Sequence, residues 1–125
     1  MKKMKSIFAV LLLSAGVLLF NSCGKSNNNS TNPTSNGNVP VQDANVSIQN
    51  FAFSPATVRV KIGGTVTWTN KDATPHTATD LNGSFDSGSL PVDQTYKATF
   101  NTAGTFTYHC TIHSMMPNAT VIVGN

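Results

Sequence analysis

Charged residues are scarce in this sequence, at 10% of its 125 residues against about 25% in ordinary soluble proteins. So short a chain holds one folded domain, which excludes a large multidomain enzyme. Five Asp and no Glu face eight Lys and Arg. Three of those bases, Lys2, Lys3 and Lys5, crowd the N-terminus, leaving Lys25, Arg59, Lys61, Lys71 and Lys97 to balance the five Asp. A neutral body lacks the basic face that a phosphate backbone requires, so nucleic acid is not an expected partner. Cysteine is equally thin, with Cys23 and Cys110 alone. A disulfide between them would tie the leader to the end of a core strand, and that pairing is not expected. Helical periodicity is missing as well: beyond the leader, no long window carries an apolar stripe at helical spacing.

The first segment reads as an address. The three lysines precede an apolar run from Ile7 to Phe20. As a helix that run would span about 21 Å, short of the roughly 30 Å hydrocarbon core, so an export signal fits better than a spanning helix. Phe20-Asn21-Ser22-Cys23-Gly24 follows. It resembles the lipobox of bacterial lipoproteins, in which a small residue precedes the cysteine that is lipidated. The resemblance implies a signal peptide over residues 1–22 and a lipid anchor on Cys23. An ordinary cleaved signal and an uncleaved anchor are the alternatives. Residues 23–42 are mostly Asn, Ser, Thr, Gly and Pro, too polar to offset their chain entropy by burial, and read as a disordered tether.

Residues 43–125 alternate. Val58, Val60 and Ile62 interleave with Arg59 and Lys61, and Gly63-Gly64 then suggests a turn. Val66 and Trp68 interleave with Thr65, Thr67 and Thr69. Period-two patterning in Val- and Thr-rich segments marks strands buried on one face. Further strands are expected over Asn45–Phe51, His76–Thr79, Thr95–Phe100, Gly104–Cys110 and Thr120–Val123. About seven to eight short strands indicate an all-β domain, a small antiparallel Greek-key β-sandwich or barrel.

Most of the chemistry lies in one stretch, Tyr108-His109-Cys110-Thr111-Ile112-His113-Ser114-Met115-Met116. Cys110, His113 and Met116 follow Cys-x-x-His-x-x-Met spacing, a soft sulfur and nitrogen donor set on one loop. His76, after Pro75, offers a second imidazole. Two His and one Cys with a weak axial Met describe an electron-transfer copper site. A zinc site from the same Cys and His would be three-coordinate and would leave the Met without a role. His109 is set aside, because neighbouring residues on a strand face opposite ways and Cys110 takes the inward position.

His76, Cys110, His113 and Met116 resemble the ligand pattern of the cupredoxins, the blue (type 1) copper proteins, in their short-loop amicyanin and plastocyanin branch. The resemblance runs from about Asn45 to Val123. It takes in Phe53-Ser54-Pro55, Val66-Thr67-Trp68-Thr69-Asn70, Pro75-His76 and Phe85-Asp86-Ser87-Gly88. It implies a Greek-key β-sandwich with one copper ion at one end, His76 deep and His113 at the solvent edge. Met116-Pro117-Asn118-Ala119-Thr120 is one residue longer than the family's usual Met-x-Gly approach to the last strand, which keeps Met115 open as the axial ligand. Thr77 stands where the family often has Asn, and its hydroxyl is expected to reach Thr111. Ser114, Met115, Met116 and Pro117 would form an uncharged patch around His113 for redox partner proteins. The expected protein is thus no enzyme but a monomeric electron carrier, lipid-anchored in the bacterial cell envelope and facing the periplasm or the cell surface. A copper-binding module for storage, delivery or sensing is the rival reading.

Cys23→Ala should move the protein from the membrane fraction to the soluble fraction without changing its copper content. Retention of the variant on the membrane would identify an uncleaved helix as the anchor instead.

Overall fold

The computed structural model describes residues 38–125, so the signal segment, Cys23 and most of the tether lie outside the described residues. Seven strands follow in chain order: β1 (Val41–Gln49), β2 (Ala52–Ser54), β3 (Thr57–Asn70), β4 (Thr79–Asp80), β5 (Thr95–Phe100), β6 (Gly104–His109) and β7 (Ala119–Val123). They run β2-β1-β3-β7-β6-β4 across one folded-over sheet, with β5 branching from β3. The result is an all-β sandwich whose two layers share β3.

Inward residues follow the expected period. Ala44, Val46 and Ile48 on β1, Val58, Val60, Val66 and Trp68 on β3, and Val121 and Val123 on β7 are all buried. Trp68 sits at the centre, its ring 5.1 Å from Phe85, 5.4 Å from Tyr108 and 5.7 Å from Tyr96 between centroids. Removal of a side chain of that size from a packed core typically costs about 3–5 kcal/mol. Burial also pushes the Tyr108 hydroxyl well above the ordinary phenol value.

The Gly63-Gly64 pair does not reverse the chain. It bends it within one 14-residue strand. Gly63 takes φ 82°, Ile62 turns outward, and the parallel register with β1 jumps from Val41↔Val60 to Asp43↔Thr65. Before this bulge β3 pairs with β7, Val58 opposite Val121. After it β3 pairs with β5, Trp68 opposite Tyr96. The glycines therefore let a single strand pass from one layer to the other.

Three other expectations need correction. The sheet is mixed rather than antiparallel, because β1–β3 and β3–β7 are parallel pairs. The strand expected over His76–Thr79 shrinks to Thr79–Asp80, since Pro75 offers no N–H and the His76 backbone makes an isolated bridge to Leu90 instead of a ladder. β1 starts at Val41, so Val41 and Gln42 belong to the sheet rather than the tether: Val41 pairs with Val60 and packs against the core. At its other end β1 stops at Gln49, where Asn50 and Phe51 turn through left-handed φ values of 54° and 55°.

A Cβ on Gly64 would lie 2.5 Å from the Gln42 carbonyl oxygen and 2.8 Å from that of Lys61, while one on Gly124 meets nothing within 4 Å. Gly64→Ala should destabilise the domain by about 1–3 kcal/mol in urea unfolding, and Gly124→Ala should be nearly neutral. Equal stability of the two variants would refute the close approach at the bulge.

Candidate metal centre

Two loops meet at one end of the sandwich, and each is closed by its own hydrogen bonds. The first leaves β3 at Asn70, which is fully buried. Asn70 Nδ2 donates to the Thr74 and Leu90 carbonyls at 2.9 and 2.8 Å, and its Oδ1 accepts the Asp72 N–H at 2.9 Å. Those three bonds fold residues 70–75 into a compact hook and deliver His76 to the interior. His76 then exchanges backbone bonds with Leu90, at 3.2 and 2.8 Å. The second loop begins at Cys110, as β6 ends, and tightens where the Met116 N–H donates to the His113 carbonyl at 3.0 Å.

Between the loops lies a cluster of three donors. Cys110 Sγ is 3.8 Å from His76 Nδ1 and 3.6 Å from His113 Nδ1. All three candidate donor atoms fall within 4.8 Å of one another. Cys110 and His76 are buried and His113 is half-buried. A third contact steadies the sulfur, the Thr77 N–H donating to it at 3.3 Å. Thr77 Oγ1 stands 3.1 Å from Thr111 Oγ1 and accepts the Thr111 N–H at 2.8 Å, which is the cross-loop contact expected from the sequence.

The chemistry of this donor set fits a soft metal. His76 Nε2 lies 2.9 Å from Asp72 Oδ2. A carboxylate only accepts, so Nε2 is the donor of that pair, and Nδ1 is the nitrogen that faces the sulfur. Two imidazoles and a thiolate suit copper, and a thioether nearby strengthens that preference. Of the two candidate thioethers Met116 is 5% exposed and Met115 is 96% exposed, so only Met116 is packed into the protein at this end. His109 is outside the cluster and pairs with Thr79 across β4 and β6.

Asp72 and Phe51 were not legible as site residues. Asp72 also accepts the Asn50 N–H at 2.8 Å and the Phe51 N–H at 3.0 Å. Its carboxyl is held below the ordinary carboxylate range, chiefly by the Phe51 N–H; burial opposes this, and Asn50 and His76 add to the lowering. Phe51 sets its ring edge-on to both histidines, 5.2 Å from His76 and 5.1 Å from His113. The sequence signal for Asp72 is an acid four residues before the histidine. Phe51 has none, because its position depends on the turn after β1. Around His113 an open depression of ≈ 430 Å³ is lined by Phe51, Ile112, His113, Ser114, Met115 and Met116.

Known proteins resemble this chain in sequence and fold. A family model described as a cupredoxin-like domain matches residues 11–123. Amicyanin-alpha of Methylorubrum extorquens is 35% identical over 89 residues, which cover 67% of this chain and 75% of that protein. Amicyanin of Paracoccus denitrificans is 37% identical over 82 residues, covering 62% of this chain and 63% of that one. The solved structure of a Cu(I) amicyanin mutant matches with a TM-score of 0.60 at 31% identity, covering 66% of this chain and 82% of the other.

Cobalt(II) and copper(II) titrations of the purified domain should show one tight site. Cys110→Ser should weaken it at least a hundredfold, and His109→Ala should leave it within about threefold of the parent, as the loss of a ligand differs from the loss of a bystander. Weakening by His109→Ala to the level of Cys110→Ser would overturn the donor assignment.

Proposed function

This chain belongs to the cupredoxin-like family, and from that membership we propose that it is a type 1 copper electron carrier. The observation that carries the reading is the buried cluster of two imidazole nitrogens and one thiolate within 4.8 Å. Copper bound there would supply a one-electron Cu(I)/Cu(II) couple. Cys110 would be the dominant donor, His76 and His113 would complete the set through Nδ1, and Met116 would add a weak thioether.

What the protein contributes is restraint. Fast electron transfer requires donors that keep nearly the same arrangement in both oxidation states. Here the sulfur is held by the Thr77 N–H, His76 by Asp72 and Leu90, and the two loops by the Thr77–Thr111 contact. Burial of Cys110 and His76 keeps water from adding itself as a further ligand. In this reading no substrate bond is made or broken, so the protein is not an enzyme.

His113 is the port. It is half-buried, and Phe51, Ile112 and Met115 stand exposed around it with no charged side chain among the lining residues. An uncharged rim suits transient docking of redox partner proteins, which must approach closely and leave quickly. The protein works as a monomer tethered by lipid on Cys23, with the polar residues that precede β1 as spacer, in the bacterial cell envelope, facing the periplasm or the cell surface. The supports for tethering are the short apolar leader and the position of Cys23 directly after it.

Absorption and EPR spectra of the copper-loaded protein test the function. The carrier should be intensely coloured by thiolate-to-copper charge transfer and should bleach and recover reversibly with mild reductant and oxidant. A colourless Cu(I) form that cannot be oxidised would establish copper storage or delivery in its place. Voltammetry then tests the axial ligand: Met116→Gln substitutes a harder oxygen donor and should lower the reduction potential markedly, whereas Met115→Gln should shift it little. The reverse ranking would move the axial role to Met115.

A further inference from the structure

Asp72 makes three contacts that converge on the cluster from outside it. Oδ2 accepts from His76 Nε2 at 2.9 Å and from the Phe51 N–H at 3.0 Å, and Oδ1 accepts from the Asn50 N–H at 2.8 Å. Its own N–H is tied to Asn70 Oδ1 at 2.9 Å, inside the hook that carries His76. The carboxylate is only 14% exposed, and its imidazole partner is fully buried. The residues it grips, Asn50 and Phe51, are two successive left-handed ones. Non-glycine residues occupy that region at a cost, so a turn with two in succession needs an external hold.

We propose that Asp72 is the positioning residue of this centre, a carboxylate clamp that selects the His76 tautomer and fixes Phe51 against both ligand imidazoles. The inference rests on the copper-carrier reading for its electronic consequence, and on the protein alone for its geometric one. Geometrically, the carboxylate holds the His76 proton on Nε2 and leaves Nδ1 bare, so the buried imidazole is ready to bind before any metal arrives. Through Asn50 and Phe51 the same carboxylate seats an aromatic ring edge-on to His76 and His113, which blocks both imidazoles from rotating about their side-chain bonds. Electronically, a fixed negative charge on the far side of His76 increases the basicity of that imidazole and favours the more highly charged Cu(II) state. Asp72 therefore lowers the reduction potential and narrows the freedom of two ligands at once.

A merely structural role would predict only a less stable turn, and three variants separate the two. Asp72→Asn keeps acceptor oxygen for the turn but removes the charge. Asp72→Ala removes both. Asp93→Asn is the control: Asp93 pairs with Lys71 on the surface, 2.9 Å away and well exposed, so it removes equal charge without touching a ligand. The metal-free protein is read first, by imidazole nitrogen–proton correlation NMR. His76 should be the pure Nε2–H tautomer in the parent and in Asp93→Asn, and a mixture in Asp72→Ala. Copper-loaded proteins are then compared by voltammetry. Asp72→Asn should shift the Cu(I) to Cu(II) binding preference at least tenfold towards Cu(I), a rise of about 59 mV for a one-electron couple, and Asp93→Asn should shift it less than twofold. An Asp72→Asn potential equal to that of Asp93→Asn, or a parent His76 already mixed between tautomers, would overturn the proposal. Should Asp72→Ala fail to fold, the tautomer of the parent and the potential of Asp72→Asn still decide the proposal. If the parent gives no charge-transfer band with copper, the carrier reading falls, while the metal-free tautomer measurement still decides the clamp.

Discussion

His76 and Cys110 stand 34 residues apart in sequence and meet through contacts made by the residue between them in space, Thr77. Its N–H donates to the Cys110 sulfur, and its hydroxyl accepts the N–H of Thr111. Both contacts are buried or nearly so, where an unpaired partner would cost about 1–3 kcal/mol. The two loops are thereby registered to one another by atoms that do not themselves bind metal. A slip of one residue in either loop would leave a buried sulfur, a buried hydroxyl and an amide without partners together. The geometry of the cluster is therefore a property of the fold, fixed before a ligand enters.

That registration depends in turn on β3. The strand ends at Asn70, whose side chain closes the hook leading to His76, and its middle is bent so that it serves both layers. Trp68, two residues before Asn70, is buried among Phe85, Tyr96 and Tyr108. Tyr108 lies two residues before Cys110 and faces the same way along β6. The core thus anchors the start of both ligand loops through one aromatic contact. Stability and site geometry are the same network at this end of the molecule.

Period-two patterning was enough to find the inward faces of β1 and β3, because Val46, Ile48, Val58, Val60, Val66 and Trp68 each occupy the side that alternation assigns. Cys110, His113 and His76 were legible because soft donors at close spacing are chemically unusual in a chain with so few reactive side chains. Local pattern failed at Gly63-Gly64, where a bulge and a turn have the same residue signature and only the position of β1 distinguishes them. It also failed at Asp72 and Phe51. Their parts are set by long-range contacts, 22 residues for Asn50 with Asp72, and no local signal encodes where the β1–β2 turn will lie against the hook. Met115 and Met116 were separable only by burial, which the loop conformation decides.

The two imidazoles have opposite needs, and this explains the polarity of the site. His76 has no access to water, so its outer nitrogen must find a partner within the protein, and Asp72 meets that need with a fixed charge. His113 is half-buried, and its outer edge opens towards the depression among Phe51, Ile112 and Met115. In the proposed carrier, a second carboxylate there would put charge on the surface that a partner would desolvate, and would raise the cost of each encounter. An acid on the deep side and an uncharged rim on the shallow side divide the work: one histidine is restrained by the protein, and the other remains available to whatever docks. Phe51 touches both rings and so spans the division, buttressing the buried histidine while presenting an exposed edge beside the open one. The same turn that Asp72 holds therefore also lines the depression beside His113, which makes the shape of that depression dependent on a residue outside its lining.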